Sequence, residues 1–463
     1  MSEAVIAGAG GDALEKLPLP EQFAAATVRL ADIKMFQGVD DKDVQKSLCV
    51  DEVPMPELAP DEALIAVMAS SINYNTVWTA MFEPLPTFQF LKQMGRAGGW
   101  ERRHDLPYHV VGSDAAGVIV RTGSSVRKWK TGDHVVVATA YVDDQDHDTH
   151  RDGMLGVGQK AWGFETNFGG LAHYAIVRAS QLMPKPGLLT WEEAAVNPLC
   201  AGTAYRMLVS DRGAQMKQGD VVLIWGATGG LGSYAVQLVR NGGGIPVGVV
   251  NSRQKADLLR SIGCEVVINR SEIDEGDTTL LQRPEGWKKL GAAVRDAVGE
   301  DPHIVFEHVG EKTFGASVFL ARRGGTVVTC GSSTGYQHTY DNRYLWMRLK
   351  RIIGSHGANL HEQWEVNRLI SMGRLLPALS KTYTLDDVST AARSVQTNQH
   401  IGKVGVLCLA PSPGLGVTDP QARALVGEDR LRRPGPWRVG MAALLLLLTS
   451  YVLAAAVVIA LTG

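Results

Sequence analysis

The sequence predicts an α/β protein built from two unequal parts, a β-rich domain and a doubly wound nucleotide-binding domain set into it. Short apolar runs broken by Gly and Pro, such as DEALIAVMASSIN and HVVGSDAAGVIV, follow Ala26 and read as strands. From Val221 the pattern changes to strand, glycine turn, helix and strand in VVLIWGATGGLGSYAVQLVRNGGGIPVGVV. The alternation runs on through CEVVINR, HIVFEHVG and GTVVTCGSS to RIIGSHGAN, the mark of a parallel sheet covered by helices. Beyond His356 a helical segment, HEQWEVNRLISMG, and a strand, KVGVLCLA, carry the chain back to the first part.

At 463 residues the chain exceeds one small core. The expected division is a flexible lead with one short helix over 1–25, the β-rich domain over 26–205 and the nucleotide-binding domain over 206–355. The β-rich domain returns over 356–412, followed by a linker over 413–438 and a hydrophobic tail over 439–463. A substrate cleft belongs between the two domains. The net charge of −2 argues against nucleic acid as a partner. Five scattered cysteines without a CxxC pair suit reduced thiols, and Met1–Asp12 lacks the basic start and apolar run of a signal peptide, so the expected location is cytoplasmic. The tail from Met441 to Leu461 is uncharged and long enough to span a bilayer, with Arg432, Arg433 and Arg438 before it to keep the body in the cytoplasm. Two readings of it stand, a membrane anchor and a gene-model artefact.

The loop Gly226-Ala227-Thr228-Gly229-Gly230-Leu231-Gly232 follows an apolar strand and opens a helix. Glycines there let the backbone turn tightly against a pyrophosphate, whose charge meets the amides at the helix start; this is the Rossmann arrangement. At the end of the next strand, where an NAD-binding protein carries a carboxylate for the ribose, the chain has Asn251-Ser252-Arg253-Gln254-Lys255. Ser252, Arg253 and Lys255 suit a 2′-phosphate, so the cofactor expected is NADPH. The acidic, histidine-bearing loop DDQDHDTHRDG reads as a solvated surface excursion, not a metal site.

Three further pieces narrow the reading: Asn73-Tyr74-Asn75, AWGFETNFGG over Ala161–Gly170, and Gly354-Ser355-His356. With His109-Val110-Val111-Gly112-Ser113-Asp114-Ala115-Ala116-Gly117, the first domain resembles the GroES-like catalytic domain of medium-chain dehydrogenases/reductases. Within that superfamily the chain is similar to crotonyl-CoA carboxylase/reductases from about residue 15 to about 418. Zinc-dependent relatives carry Gly-His-Glu where this chain has Gly112-Ser113-Asp114, and an upstream cysteine where it has Ile72-Asn73-Tyr74-Asn75. No metal is therefore expected.

The resemblance implies NADPH-dependent reduction of an enoyl-CoA, with CO2 trapped on the enolate to give a 2-alkylmalonyl-CoA such as ethylmalonyl-CoA. It places the CO2 pocket at Asn75, Phe164, Glu165 and His356. Asn75 would donate its amide to a CO2 oxygen, and Phe164 would wall out water. Glu165 and His356 would hold an ordered water or each other. Each residue has an ordinary alternative in a turn or a packed core. Gly357 stands where relatives usually carry Phe, and Ala161 where they often carry a larger aliphatic, which implies acyl chains longer than crotonyl. In DNRYLWMRLKRIIG, Arg343 and Tyr344 are the candidates for CoA phosphate and adenine. The family also implies a homotetramer joined through the cofactor-binding domains. Two other functions stay open, an enoyl-CoA or quinone reductase without carboxylation and an inactive NADPH-binding scaffold.

Overall fold

The computed structural model describes residues 1–431 apart from 275 and 278. The expected membrane-spanning tail and its arginines lie outside the described residues. Among those described, no helix is long and apolar enough to cross a membrane.

The β-rich domain is organised around the strand Glu62–Ile72, buried along its whole length. It pairs antiparallel with Ala115–Thr122, Tyr174–Arg178 and Lys403–Leu407. Protein therefore covers both faces, so the strand reads as an unbroken run of small and β-branched residues without alternation. The sheet runs Leu182–Pro184, His134–Val137, Ala115–Thr122, Glu62–Ile72, Lys403–Leu407, Leu379–Thr384. A second sheet places Gln22–Arg29 between Cys49–Pro54 and Tyr108–Val110. HVVGSDAAGVIV, read from the sequence as one strand-like run, is two strands: Tyr108–Val110 joins the small sheet and Ala115–Thr122 the large one. Gly112 makes the crossing at φ +114, where a Cβ would lie 2.5 Å from Leu171 N. That conformation and that approach both require glycine.

The nucleotide-binding domain holds six parallel strands in the order Val266–Asn269, Ile245–Val250, Val221–Ile224, Ile304–Glu307, Thr326–Thr329, Arg351–Gly354. The first strand in the chain is central, and the order reverses beside it. Ligands bind at that switch point in doubly wound sheets. The chain then returns through the helix Leu360–Ser371 to Lys403–Leu407, whose Val404 faces Ile72.

One expectation is corrected and one narrowed. Residues 1–25 are a docked segment: Val5 and Leu14 are buried, Ser2 Oγ lies 2.7 Å from Tyr174 Oη, and Arg121 Nη1 donates to Leu14 O at 3.0 Å. Gly11 fits so closely that a Cβ would meet Thr131 O at 2.2 Å. The acidic loop is solvated as expected at Asp143, Asp144, Gln145, His147, His150 and Arg151, but not at Asp152. Its far end is tied into the protein, with Asp152 Oδ2 2.5 Å from Arg206 Nη2 and Arg206 Nη1 2.9 Å from Glu362 Oε2, all three residues buried. Asn359 Nδ2 donates to the same Asp152 at 3.1 Å. The buried guanidinium needs both carboxylates, and the loop supplies one.

Candidate active site

The segment Ala161–Gly170 is a turn that displays two side chains and spends the rest on holding itself in place. Trp162 Nε1 donates to Ile176 O and its amide to Thr139 O. Thr166 Oγ1 accepts from Gly163 N at 3.0 Å, and Asn167 Oδ1 from Val110 N at 2.8 Å. His104 Nδ1 accepts from Asn167 N, and burial holds its imidazole down to about 3, so the ring stays neutral and able to accept. Gly163, at φ +67, packs so tightly that a Cβ would lie 1.9 Å from Gly112 O, while Gly112 N donates to Gly163 O at 3.1 Å. The turn is thereby fixed against Gly112, one residue from Ser113.

Ser113 in turn meets the first motif: Asn75 Nδ2 lies 2.8 Å from Ser113 Oγ. Asn75 lies in the first turn of the helix Tyr74–Met81, whose Trp78 packs 6.4 Å from the Phe164 ring and 6.3 Å from Tyr336 of the other domain. The Asn75 helix and the turn carrying Phe164 and Glu165 are thus joined into one wall through Trp78 and through Ser113, Gly112 and Gly163. Glu165 is half-buried and its Oε2 accepts from Ala161 N at 2.8 Å, closing its own turn. His356 is exposed just past the strand Arg351–Gly354. Among the described residues no direct hydrogen bond joins Glu165 to His356, so their expected mutual contact is not found. Ala161 lies in a two-residue strand against Ala140, and Gly357 faces Met154.

Below this wall Asp114 is a buried hub. Its Oδ2 accepts from Ser71 Oγ, Asn73 Nδ2 and Lys403 Nζ at 2.6, 2.7 and 3.1 Å, and its Oδ1 from Leu199 N at 2.9 Å. Lys403 also donates to Asn73 Oδ1 and Ile72 O. Hydroxyl, amide and carboxylate here already surround an ammonium, and Ser113 is engaged with Asn75. This donor set does not fit zinc.

The glycine loop has the geometry a pyrophosphate needs. Gly226 sits at φ +55 against His308, and a Cβ on Gly232 would lie 2.4 Å from Gly226 O. No side chain caps the helix Gly230–Asn241, so its first amides are open to an anion. Ala227 and Thr228 are buried beneath, Leu231 packs on the core, and Thr228 O accepts from Gly402 N at 2.7 Å, tying the loop to the other domain. A Cβ on Gly230 would meet Lys403 Cδ at 2.9 Å.

Past the second strand, Ser252 caps the helix Arg253–Ser261 by accepting from Lys255 N. Arg253 is exposed. Lys255 is half-buried, and burial followed by the nearby charge of Arg270 lowers its pKa. Two neighbouring cations at this end of the cleft suit an anion. Arg270, unassigned in the sequence reading, is the second of them.

The candidates for the CoA end divide. Arg343 is exposed and paired with Asp341 at 2.7 Å. Tyr344 is half-buried, with its ring at right angles to Phe319 and the centroids 5.0 Å apart. Lys350 donates to Val318 O and Phe319 O, and Arg351 to Thr326 Oγ1.

A catalytic domain folded about a buried central strand, with a doubly wound nucleotide-binding domain inserted and the cleft between them, defines a nicotinamide-dependent oxidoreductase of the medium-chain class. Residues 59–187 match the family model of the alcohol dehydrogenase GroES-like domain, and residues 230–371 that of the zinc-binding dehydrogenase. The chain is 56 % identical to the crotonyl-CoA reductase of Streptomyces avermitilis over 415 residues, 88 % of this chain and 93 % of that one. It is 38 % identical to the crotonyl-CoA carboxylase/reductase of Cereibacter sphaeroides over 381 residues, 80 % and 86 % of the two chains. Among solved structures, the 2-octenoyl-CoA carboxylase reductase CinF of a Streptomyces species, in complex with NADP and 2-octenoyl-CoA, superposes with a TM-score of 0.91 at 64 % identity, covering 93 % of this chain and 97 % of that one. The chain belongs to the crotonyl-CoA carboxylase/reductase family.

Proposed function

We propose that this protein reduces 2-enoyl-CoA thioesters with NADPH and captures CO2 on the resulting enolate, giving 2-alkylmalonyl-CoA. The observation that supports the reading is the backbone junction of Gly112 with Gly163, which fixes the turn carrying Phe164 and Glu165 one residue from Ser113, the partner of Asn75. When bound, the nicotinamide supplies the hydride for the β-carbon.

The chain's residues do the rest. The amides at Gly230–Gly232 hold the pyrophosphate, and Lys255, Arg270 and Arg253 hold the 2′-phosphate. Asn75 donates to the oxygen on which carboxylate charge develops, where a fixed dipole needs no reorganisation. Phe164 and Trp78 keep water from the enolate, so that held CO2 competes with protonation. Glu165 and His356 border the far side of the pocket. Arg343 remains a surface cation for the CoA phosphates. The small Ala161 and Gly357, with 64 % identity to a protein crystallised with 2-octenoyl-CoA, favour medium-chain substrates over crotonyl-CoA.

The working assembly is a homotetramer joined through the nucleotide-binding domains. The edge strand Arg351–Gly354 lies beside Trp346, Met347 and Leu349, each more than half exposed, and such an edge calls for a partner. Five free thiols suit the cytoplasm. The test is turnover of 2-octenoyl-CoA with NADPH and labelled bicarbonate, followed by mass analysis. Label in a 2-hexylmalonyl-CoA is expected; saturated octanoyl-CoA alone, with or without bicarbonate, overturns the proposal in favour of simple reduction.

A further inference from the structure

The Asn75 side chain is incompletely bonded as it stands. Its Nδ2 points to Ser113 Oγ at 2.8 Å, while its Oδ1 is buried without a partner. The Ser113 hydroxyl then accepts, and no acceptor is seen for its proton among the described residues. The two ends of an amide have the same shape and each makes one hydrogen bond to Ser113, so what separates the orientations is which groups are left without a partner. Turned by half a rotation, Asn75 Oδ1 accepts the Ser113 O–H over the same distance. Oδ1 and the Ser113 proton are then paired, and the –NH2, in the place of the orphaned oxygen, has no protein acceptor and is left to donate to a ligand.

We infer that Ser113 is a positioning residue whose hydroxyl donates to Asn75 Oδ1 and thereby aims the Asn75 N–H groups at bound CO2. The inference rests on the reading that Asn75 lies at the CO2 pocket. The chemistry requires such a selector. A CO2 oxygen, and still more the carboxylate oxygen it becomes, is an acceptor, so Asn75 stabilises it with the amide end and repels it with the carbonyl end. Nothing in Asn75 itself chooses between the two.

Ser113 is well placed to choose. It is wholly buried, and both neighbours are fixed: Gly112 by the Gly163 backbone, and Asp114 by Ser71, Asn73, Lys403 and Leu199. Asn73, held by the same carboxylate, stands just before the helix on which Asn75 sits, and Asn75 O accepts from Thr79 Oγ1 at 3.0 Å. Backbone and side chain of Asn75 are thus held from two directions, and the amide rotation is the one freedom left for Ser113 to remove. A hydroxyl at the position where zinc-dependent relatives carry a histidine ligand acquires a task in the carboxylating site.

The test uses the full chain with NADPH, 2-octenoyl-CoA and a series of CO2 concentrations, reading the ratio of carboxylated to saturated product. Ser113→Ala should lower that ratio about tenfold and raise the KM for CO2, with the KM for NADPH holding. Ser113→Thr, which keeps the hydroxyl, should recover most of the ratio, and Ser113→Ala added to Asn75→Ala should lower it no further. A parental ratio in Ser113→Ala beside a collapsed ratio in Asn75→Ala overturns the inference and leaves the carboxylase reading intact. Parental ratios in both overturn the pocket assignment and the inference with it. Should the alanine chain fail to fold, Ser113→Thr against Ser113→Cys decides the matter, because equal ratios from a strong and a weak donor overturn the inference.

Discussion

Met154 Cε lies 3.2 Å from the point at which a side chain on Gly357 would begin. Gly357 sits at φ +51, so the residue opens space and also holds a left-handed turn. The room that the sequence advertises at Gly357 is bordered by a flexible thioether from the loop ending in Asp152–Leu155, and a methionine can give way to a longer guest. Met154→Ala should therefore move the preference toward longer acyl chains. Each further methylene buried contributes roughly 0.8 kcal/mol, about fourfold in kcat/KM. Specificity constants for C4 to C10 enoyl-CoAs measure this, and an unchanged ranking removes Met154 from the acyl site.

On the proposed reading, cofactor choice is set at the end of the second strand of the parallel sheet. Removing Lys255 or Arg270 should raise the KM for NADPH by about ten- to a hundredfold, since a charge-assisted hydrogen bond contributes roughly 1.5–3 kcal/mol. The KM for NADH, which has no 2′-phosphate, should hold. An equal rise for both nucleotides would mean that these cations serve the fold and not the phosphate.

The glycine loop, the parallel sheet and the return of the chain were legible because strand–turn–helix order leaves a local mark in composition. The Ala161–Gly170 turn leaves a local mark too, because it needs an uncommon set of residues in sequence. Ser113, Lys403, Arg270 and Met154 were not legible in these roles. Ser113 and Lys403 act through partners 38 and 289 residues away, and no periodicity encodes such pairings. The acidic loop was read rightly as solvated except at Asp152, which resembles its neighbours in sequence and differs in facing Arg206.

That pairing has a thermodynamic consequence. Asp152→Ala should cost about 3–5 kcal/mol, because a buried guanidinium loses one of its two carboxylates. Urea unfolding measures the loss, and proteolysis should cut the loop sooner. Arg206→Met in the same background should restore part of the stability by removing the stranded charge.

Acid should unfold the protein from a modest pH. Burial holds His104 down to about 3 and His109 and His400 to about 4, against 6.5 when exposed. Between those values the unfolded chain carries more protons than the native one. Stability is therefore fully present above 6.5 and is lost as pH falls toward 4. Three such groups give a slope of about 4 kcal/mol per pH unit near pH 5. Urea midpoints that stay level from neutrality to about pH 5 would contradict the assignment.

Trp78 touches Phe164 of its own domain and Tyr336 of the other across the cleft. The enzyme thus carries an optical reporter at its working surface. The difference in emission between the parent chain and Trp78→Phe isolates one indole among ten, and its change on adding nucleotide or acyl-CoA would time the arrival of each ligand without a dye or a label.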